Sequence, residues 1–411
     1  YKPNDTVNHN NKLWQNITGL NSEPNDTSND WVDITLGATD KTDIVAPGNY
    51  KPVESDAVER YAVKKINTIS DLRNTEGEYA DQTITLLGYY TENDKNPIQY
   101  KWTTQLLEDD GGYSIRAISG TWIAILNNHI DIRDYGASET IDNSLIFQKA
   151  INKATTTGLN VRVFKIENAY PVTNQINVTA NIVSDGAKII GGGRDKTLFV
   201  IKNDILFDGL DIEMTEEGVG DSVPTAILYS STETTILESI QIKNCKFNNC
   251  RIRLLNTNSD KLYNLLIENS TFKVDYNNFP IFTVQNDVVT IYGSKNIKII
   301  NNNFYCKNTN RIFKMQGYNE DPLTGCENII ISNNYIEAEG KFETMSNMSK
   351  QIFDLFNYSK NVIFTNNQIV ATNYVIVLED KTANMLTNTI RTYIISDNYI
   401  ENNNQFVHIE G

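Results

Sequence analysis

The carboxylates of Asp354 and Glu379 form the pair of side chains whose type and spacing best suit acid–base chemistry. They lie in the segments IFDLFN and VIVLED, which we align as consecutive copies of one β-strand. Neighbouring strands lie about 4.8 Å apart and alternate residues about 6.8 Å apart, so the two backbones would be about 8 Å apart diagonally. This separation is typical of two carboxyl groups that flank a glycosidic bond with a water molecule between them, the inverting geometry.

The strand that carries them is repeated five times, as RIRLLN (251–256), VVTIYG (288–293), IFKMQG (312–317), IFDLFN (352–357) and VIVLED (375–380). Alternate residues of a strand point to opposite faces. The inward face would hold Ile252, Leu254, Val289, Ile291, Phe313, Met315, Phe353, Leu355, Ile376 and Leu378. The outward face would hold two columns, Arg253, Thr290, Lys314, Asp354 and Val377 in one, and Leu255, Tyr292, Gln316, Phe356 and Glu379 in the other.

Five of the outward side chains suit the binding of a polyhydroxylated sugar chain: Arg253, Tyr292, Lys314, Gln316 and Phe356. Sugar recognition uses aromatic plates with amides and charges beside them. We therefore predict that these five bind substrate and that Asp354 and Glu379 are catalytic. Alternatively, Lys314 or Arg253 neutralises a uronic acid carboxylate beside a base, which would give β-elimination. Each acid could also be a solvated or ion-paired surface residue.

Other residue types that do chemistry are too sparse for the usual sites. The three histidines, His9, His129 and His408, are far apart, which predicts neither a zinc site nor a Ser-His-Asp triad. The four cysteines contain no CxxC pair, so each is expected to be an isolated core thiol, and no metal or cofactor is expected. The net charge of −15 argues against a nucleic-acid partner. No apolar run is long enough for membrane insertion.

The element that must position these side chains is a strand motif that occurs six times in the second half of the chain. Its copies are IQIKNCKF (240–247), LLIENSTF (265–272), IKIINNNF (297–304), IIISNNYI (329–336), VIFTNNQI (362–369) and YIISDNYI (393–400). Their last residues are separated by 25, 32, 32, 33 and 31 residues. Period-two alternation with β-branched residues predicts strands, and a repeat of about 30 residues predicts coils that stack on each other. The fold class predicted is all-β, a right-handed parallel β-helix.

An Asn or Asp lies at one fixed point of every copy: Asn244, Asn269, Asn301, Asn333, Asn366 and Asp397. Asn tolerates left-handed backbone angles, and stacked Asn amides can form a ladder between coils. We interpret this column as the turn from one sheet into the next, with a structural role. A second acidic set follows that turn at Asp275, Glu337 and Glu339, with Lys307 between the coils.

The segments before the repeats predict smaller units. The first is a small β module, carbohydrate-binding-like or an adaptor, and we expect Trp14 and Trp31 in its core. A compact second β module follows, and then a neck with a short capping α-helix. The β-helix would fill the rest of the chain and be truncated at its C-terminus. The predicted boundaries are 1–46, 47–126, 127–160 and 161–411.

Four short motifs characterise the second module: Leu87–Gly88–Tyr89–Tyr90, Tyr100–Lys101–Trp102, Asp110–Gly111–Gly112 and Gly120–Thr121–Trp122. They alternate as short strands around an acidic glycine turn. This segment resembles the N-terminal particle-binding segment of bacteriophage tailspike proteins. In that family a strand pair, an acidic glycine turn and a Gly-x-Trp strand precede a β-helix.

The neck carries the motif DIRDYGA (131–137), followed by SLIFQKAINKA (144–154), an amphipathic helix whose start Asp142 or Asn143 can cap. This pattern is similar to the opening of the pectate-lyase-like superfamily, where a helix covers the open end of the first coil. A solenoid needs such a cover, because its end exposes an unpaired sheet edge and the core.

The tailspike resemblance implies an extracellular protein of the virion tail, a homotrimer that meets other tail proteins through its N-terminal modules. It implies binding to a bacterial surface polysaccharide, capsule or O-antigen, and depolymerisation by glycoside hydrolysis, with β-elimination less favoured. Outward apolar residues would supply the trimer interface: Val288, Ile312, Ile352 and Val375. One alternative is a non-catalytic structural fibre or adhesin whose β-helix is a rigid spacer. Another is a secreted pectate-lyase-like enzyme.

Overall fold

Two small sheets and a long solenoid make up the described part of the chain. The computed structural model describes residues 3, 5–9, 12–19, 30–33, 63–192, 196–215, 223–230, 237–256, 264–276, 287–309, 311–316, 325–339, 351–356, 359–372, 375–379, 392–402 and 407–410. For some of these the backbone alone is described: 8–9, 12–13, 32–33, 316, 351–356, 372, 375–379, 402 and 407–410.

The first small sheet is antiparallel and has the order β1-β2-β3, formed by β1 (Thr6–His9), β2 (Lys12–Asn16) and β3 (Trp31–Asp33). Trp14 and Trp31 are each only 4% exposed, as expected for core tryptophans. The two indoles therefore supply the apolar area that such a small sheet needs.

The second small sheet has the order β4-β5-β6-β8-β7. Its strands are β4 (Lys64–Ile66), β5 (Thr83–Leu86), β6 (Ile98–Thr103), β7 (Ser114–Arg116) and β8 (Thr121–Ala124), and the short helix α1 (Ile69–Arg73) follows β4 along the chain. The rings of Trp102 and Trp122 lie 4.9 Å apart in its core. The acidic glycine turn is held by Asp110, whose Oδ1 accepts the backbone N–H groups of Gly112, Tyr113 and Ser114.

A neck joins this sheet to the solenoid through β9 (His129–Asp131), a 3₁₀ turn (Ile132–Tyr135) and α2 (Ser144–Thr157). One face of α2 is fully buried against the first coil: Phe147, Ala150, Ile151 and Ala154. Asn143 is the N-cap residue, but Asp142 accepts the Ser144 amide at 3.1 Å. Gly158, with φ +70°, ends the helix, because glycine takes this angle without strain.

Asp142 also ties the helix to the first coil, since its carboxylate accepts the amide and the hydroxyl of Thr173 at 3.0 and 2.7 Å. Partial burial acts to raise the pKa of Asp142, but hydrogen bonds from Ser144 and Thr173 outweigh it and lower the pKa to about 2. Because the folded-state pKa lies below the unfolded value, this group stabilises the fold above about pH 4 and the contribution is lost as the pH falls towards 2.

We therefore expect Asp142→Asn to flatten the loss of stability between pH 4 and pH 2, because the variant has no carboxylate to protonate there. Thermal unfolding at a series of pH values measures this dependence. Glu167→Gln removes an exposed carboxylate from the segment between β10 and β11 and should keep the acid dependence of the unmodified chain. The same acid dependence in both variants would contradict the role assigned to Asp142.

The solenoid consists of three parallel sheets, A, B and C. Sheet A contains β9, β10 (Asn160–Val163), β13 (Ile182–Ser184), β16 (Ile205–Asp208), β19 (Ser239–Lys243), β22 (Asn264–Glu268), β25 (Lys295–Ile300), β28 (Glu327–Ser332), β31 (Lys360–Thr365) and β34 (Tyr393–Ser396). Sheet B contains β11 (Tyr170–Val172), β14 (Lys188–Gly191), β17 (Asp211–Met214), β20 (Lys246–Asn248), β23 (Thr271–Asp275), β26 (Asn303–Lys307), β29 (Tyr335–Glu339), β32 (Gln368–Thr372) and β35 (Tyr399–Asn402). Sheet C contains β12 (Ile176–Val178), β15 (Thr197–Ile201), β18 (Thr225–Ser230), β21 (Arg251–Leu255), β24 (Asp287–Tyr292), β27 (Arg311–Gln316), β30 (Gln351–Phe356), β33 (Val375–Glu379) and β36 (Val407–Glu410).

Each coil passes from sheet A through sheet B to sheet C, and the next coil stacks on it in parallel register. The last residues of the six repeat copies pair with one another across sheet B, as the period predicts. Among them, the rings of Phe247, Phe272 and Phe304 stack at centroid distances of 4.8 and 4.6 Å, and all three are fully buried. The predicted right-handed parallel β-helix, with its preceding β modules and capping helix, is confirmed.

The predicted Asn column is confirmed as a turn, because all six residues have φ between +52° and +58°. The amide ladder, however, is formed by the next residue of the last four coils: Asn302, Asn334, Asn367 and Asn398. Asn334 shows the pattern: its Oδ1 accepts the amide and Nδ2 of Asn302 at 3.0 and 3.1 Å. Its Nδ2 donates to Ile299 O at 2.9 Å and to Asn367 Oδ1 at 3.0 Å. The prediction that the turn residues themselves form this ladder is therefore wrong.

The prediction of an outward apolar interface is wrong for the two of its residues whose side chains the structure describes. Val288 and Ile312 have no exposed area within the single chain. All six residues of β24 are buried, so both faces of this strand are covered. A side chain buried in its own subunit cannot form the contact surface of a trimer. Ile352 and Val375 lie where only the backbone is described.

Candidate functional site

The predicted outward stripe has the register that the sequence indicated. In one column Arg253 pairs with Thr290, Thr290 with Lys314, Lys314 with Asp354, and Asp354 with Val377. In the other column the same pairings run through Leu255, Tyr292, Gln316, Phe356 and Glu379. Strands β21, β24, β27, β30 and β33 thus bring the backbones of all seven predicted site residues into two adjacent columns on sheet C.

The stripe is less open to solvent than its outward position suggests. Thr290, Tyr292 and Lys314 are only 2%, 7% and 9% exposed, while Arg253 is half-buried. Lys314 Nζ lies 5.8 Å from the centroid of the Tyr292 ring, close enough for a cation–π contact. An open, fully solvated face is therefore excluded for these residues. The side chains of Asp354, Gln316, Phe356 and Glu379 lie outside the described part of the chain, so the spacing of the two carboxylates stays a prediction.

Beside this stripe lies an ion pair that sequence reasoning missed. The Asp287 carboxylate is fully buried, and Arg311 Nη1 lies 3.3 Å from its Oδ1. Thr290 Oγ1 donates a hydrogen bond to Asp287 Oδ2 at 3.4 Å. Asp287 precedes the alternating run VVTIYG. It therefore lies outside the stripe, which was predicted from the alternation of apolar and polar residues. The signal that could have found it is the opposite charge of Arg311 at the same register position one coil later.

A concave surface lies on sheet B and contains the second acidic set. It is a groove of about 320 Å³ lined by Asn249, Lys273, Val274, Asp275, Tyr305, Cys306, Lys307, Glu337 and Glu339. Strands β23, β26 and β29 place the charged residues in two columns that alternate in type. Lys273, Tyr305 and Glu337 pair in one column, and Asp275, Lys307 and Glu339 pair in the other.

Hydrogen bonds fix three of the carboxylates in this sheet B groove. Lys307 Nζ lies 2.8 Å from Glu339 Oε2, and this carboxylate raises the pKa of Lys307. Asn308 Nδ2 donates to Asp275 Oδ1 at 2.7 Å, and Tyr335 Oη donates to Glu337 Oε2 at 3.1 Å. Desolvation and the hydrogen bond to the Glu337 carboxylate raise the pKa of Tyr335. The groove can therefore offer hydroxyl and carboxylate partners in fixed positions.

Aromatic rings complete the sheet B groove. The ring centroids of Tyr305 and Tyr335 lie 5.7 Å apart, and Lys273 Nζ lies 5.8 Å from the Tyr305 ring. Tyr305 is 38% exposed, so part of its ring is open to a ligand. An exposed ring with a phenol tip can pack against an apolar sugar face and hydrogen-bond a hydroxyl.

Neither a metal centre nor a thiol nucleophile emerges from the described side chains. No group of three His, Cys, Asp or Glu residues among them could hold a metal ion. All four cysteines are buried and free, as the sequence predicts. Burial raises the pKa of Cys245 to about 12, so its thiol stays protonated near neutral pH. None of the described helices is long and apolar enough to cross a membrane.

Comparisons with known proteins give matches to solved structures alone. No protein-family model matches the chain, and no curated protein sequence matches it. The tailspike protein of Acinetobacter phage vB_ApiP_P1 has a TM-score of 0.52 and 16% identity, over 84% of this chain and 66% of that one. The enzymatically active domain of tailspike protein 2 of bacteriophage CBA120 has a TM-score of 0.49 and 13% identity, over 79% of this chain and 48% of that one. The tailspike of Acinetobacter baumannii bacteriophage Fri1, a capsular polysaccharide depolymerase, has a TM-score of 0.45 and 13% identity, over 82% of this chain and 66% of that one.

The first of these structures shows that the chain has the parallel β-helix fold of a phage tailspike protein. The predicted resemblance to tailspike proteins is thereby confirmed at the level of the fold. The chain spans about two thirds of the length of this protein and about half of the second. A shared fold hosts different activities, so function has to be argued from the site.

Proposed function

We propose that this chain is the tailspike of a bacteriophage, and that its β-helix attaches to a bacterial surface polysaccharide and depolymerises it. The observation that carries the proposal is the register of sheet C, which aligns acids, cations, an amide and aromatics in two adjacent columns. The tailspike-like fold and the capsular polysaccharide depolymerase activity of the Fri1 protein support it.

Within the stripe, both columns contribute residues that would bind the substrate. Arg253, Tyr292, Lys314, Gln316 and Phe356 would hold the sugar chain through stacking, hydrogen bonds and charge. A polysaccharide that lies along the solenoid axis would meet a new strand about every 4.8 Å, so consecutive coils would contact consecutive parts of the chain. The burial of Tyr292 and Lys314, which are 7% and 9% exposed, favours a site that encloses part of the sugar.

Cleavage would use Asp354 and Glu379 as general acid and general base. One carboxyl group would protonate the leaving glycosidic oxygen, and the other would deprotonate a water molecule that attacks the anomeric carbon from the opposite face. The backbone register predicts the separation that inversion requires, because Asp354 and Glu379 stand diagonally on β30 and β33. β-Elimination from a uronic acid is the alternative reaction, with Lys314 or Arg253 neutralising the carboxylate.

Attachment to the virion and assembly form the rest of the proposal. The modules before the solenoid would contact other tail proteins, and three chains would associate as a homotrimer outside the bacterial cell. Since Val288 and Ile312 are buried within one chain, the trimer interface has to be formed by other residues. The site would then be formed within one subunit or between two, which the backbone register of sheet C allows equally.

The proposed function is tested by incubating the protein with capsule or O-antigen from the host bacterium. We expect new reducing ends without absorbance from unsaturated uronates, because hydrolysis forms no double bond. Detection of unsaturated uronates would show that the reaction is β-elimination and not hydrolysis. Binding without either product would overturn the depolymerase proposal and leave an adhesin or a rigid fibre. Absence of binding to any host surface glycan would overturn the proposed function as a whole.

A further inference from the structure

Another concave surface lies on sheet A, at the junction between the neck and the first coils. This pocket has a volume of about 330 Å³ and is lined by Asn128, His129, Asn160, Val161, Arg162, Phe164 and Val183. It lies on β9, β10 and β13, whereas the stripe on sheet C begins on β21, two coils after β13. Its volume is in the range of pockets that hold small ligands.

The Phe164 ring of the sheet A pocket contacts two guanidinium groups. Arg133 Cζ lies 4.4 Å and Arg162 Cζ lies 5.1 Å from the centroid of the Phe164 ring. His129 adds a ring contact to Phe164 at a centroid distance of 5.8 Å. Cation–π contacts of this kind fix the plane of a guanidinium without using its N–H donors.

The neighbouring carboxylates are engaged by other groups. Asp131 pairs with Arg162 in the strand register, but its two oxygens are taken by Arg133, at 3.1 and 2.7 Å. Asp134 pairs with Lys95 at 2.7 Å, and Asp185 accepts the Lys165 amide at 2.8 Å. Within the described part of the chain, Arg162 forms neither an ion pair nor a side-chain hydrogen bond. Its charge is therefore available in a protein whose net charge is −15.

Two further groups of the sheet A pocket suit hydroxyl recognition. His129 Nδ1 lies 2.8 Å from Asn128 Oδ1, an acceptor, so Nδ1 carries the proton and Nε2 is left as an acceptor. Burial lowers the pKa of His129, and Asp131 opposes this shift, while Arg162 and Arg133 add to it, so the ring is neutral at pH 7. Asn160 uses its Oδ1 to accept from Asn181 at 3.1 Å, which leaves the Nδ2 group as a donor.

We propose that this pocket binds an acidic sugar, with the Arg162 guanidinium paired to the sugar carboxylate and His129 and Asn160 bonded to its hydroxyls. A planar guanidinium that offers two parallel N–H donors matches a carboxylate in geometry and in charge. The site is separate from the sheet C stripe and requires no cleavage. It would give the protein a second contact with an acidic polysaccharide, near the neck.

The test compares the affinities of tetraglucuronate and of cellotetraose, its neutral counterpart, by isothermal titration calorimetry in low-salt buffer. We expect the unmodified protein to bind tetraglucuronate about ten- to a hundredfold more tightly, since a charge-assisted pair is lost with the neutral sugar. Arg162→Gln should abolish this preference, and Arg162→Lys should keep part of it, because the ammonium retains the charge without the planar fork. Added salt should weaken the binding of tetraglucuronate more than that of cellotetraose.

Lys298→Gln is the matched control, because it removes one exposed cation from the outward face of sheet A at another coil and should leave both affinities unchanged. Thermal unfolding of Arg162→Gln, with Arg162→Lys as a second variant, monitors the fold. No preference for tetraglucuronate, or an equal preference in Arg162→Gln, would overturn the proposal.

Discussion

Replacing Asp354 by Asn, or Glu379 by Gln, is expected to lower the turnover of the host polysaccharide by about 10²- to 10⁴-fold, the usual contribution of a general acid or base. Each amide keeps the shape of the carboxyl group but can neither give nor take a proton at neutral pH. Affinity for the polysaccharide should change little, because the proposed binding side chains remain. The rate of formation of reducing ends gives the turnover, and calorimetric titration with the same glycan gives the affinity.

Glu337→Gln and Glu339→Gln, on sheet B, are the matched controls for these two variants. They remove carboxylates of similar spacing from an exposed groove and should leave turnover unchanged if the stripe on sheet C is the active site. Full activity in both Asp354→Asn and Glu379→Gln would contradict the proposed catalytic pair. Loss of activity in the sheet B variants alone would indicate that catalysis takes place in the groove around Tyr305.

Asn334→Ala is expected to lower the apparent free energy of unfolding by about 3–5 kcal/mol, which is large for one side chain. The amide makes four hydrogen bonds, and it is buried at 1% exposure. Its removal would leave the backbone amide of Asn302 without its partner and would take one donor from the carbonyl oxygen of Ile299, while Asn302 Nδ2 would keep its bond to Ile267 O. Each such buried group costs about 1–3 kcal/mol, partly relieved by any water that enters. Unfolding in guanidinium chloride measures the loss.

Asn303→Ala serves as the control for the ladder, because Asn303 belongs to a neighbouring coil but is exposed on β26. Its replacement should change the free energy of unfolding by no more than about 0.5 kcal/mol, as for other surface substitutions. If Asn334→Ala and Asn303→Ala were equally stable, the buried ladder would contribute little and the stacked Phe247, Phe272 and Phe304 would carry the stability of these coils.

The coil architecture follows from the sequence alone. Alternation at period two sets which residues point inward, and the repeat of about 30 residues sets which residues of different coils pair, because a parallel strand has one register that keeps its apolar side inside. The pairing of Lys314 with Asp354 and of Phe356 with Glu379 could therefore be predicted without coordinates. The turn residues could be predicted for the same reason, since Asn at a fixed point of each coil favours a positive φ.

What a side chain contacts depended on the tertiary structure. Whether the amide of Asn333 or of Asn334 points into the solenoid is decided by the direction in which the turn projects each residue, which a column of asparagines does not specify. The burial of Thr290, Tyr292 and Lys314 likewise depends on what packs over sheet C, and period-two alternation contains no such information. The ion pair between the buried Asp287 and the half-buried Arg311 escaped prediction because it precedes the alternating run.

The sequence by itself determined the fold, the turns and the two columns that hold Asp354 and Glu379, because all three follow from a period that repeats along the chain. Tertiary structure alone decided the pocket on sheet A, where Arg162 and Arg133 meet over Phe164. These residues belong to the first coils, before the six regular copies, so no period links them. Their chemistry depends on three-dimensional contact: Arg133 satisfies Asp131, and that pairing leaves the guanidinium of Arg162 available for a ligand.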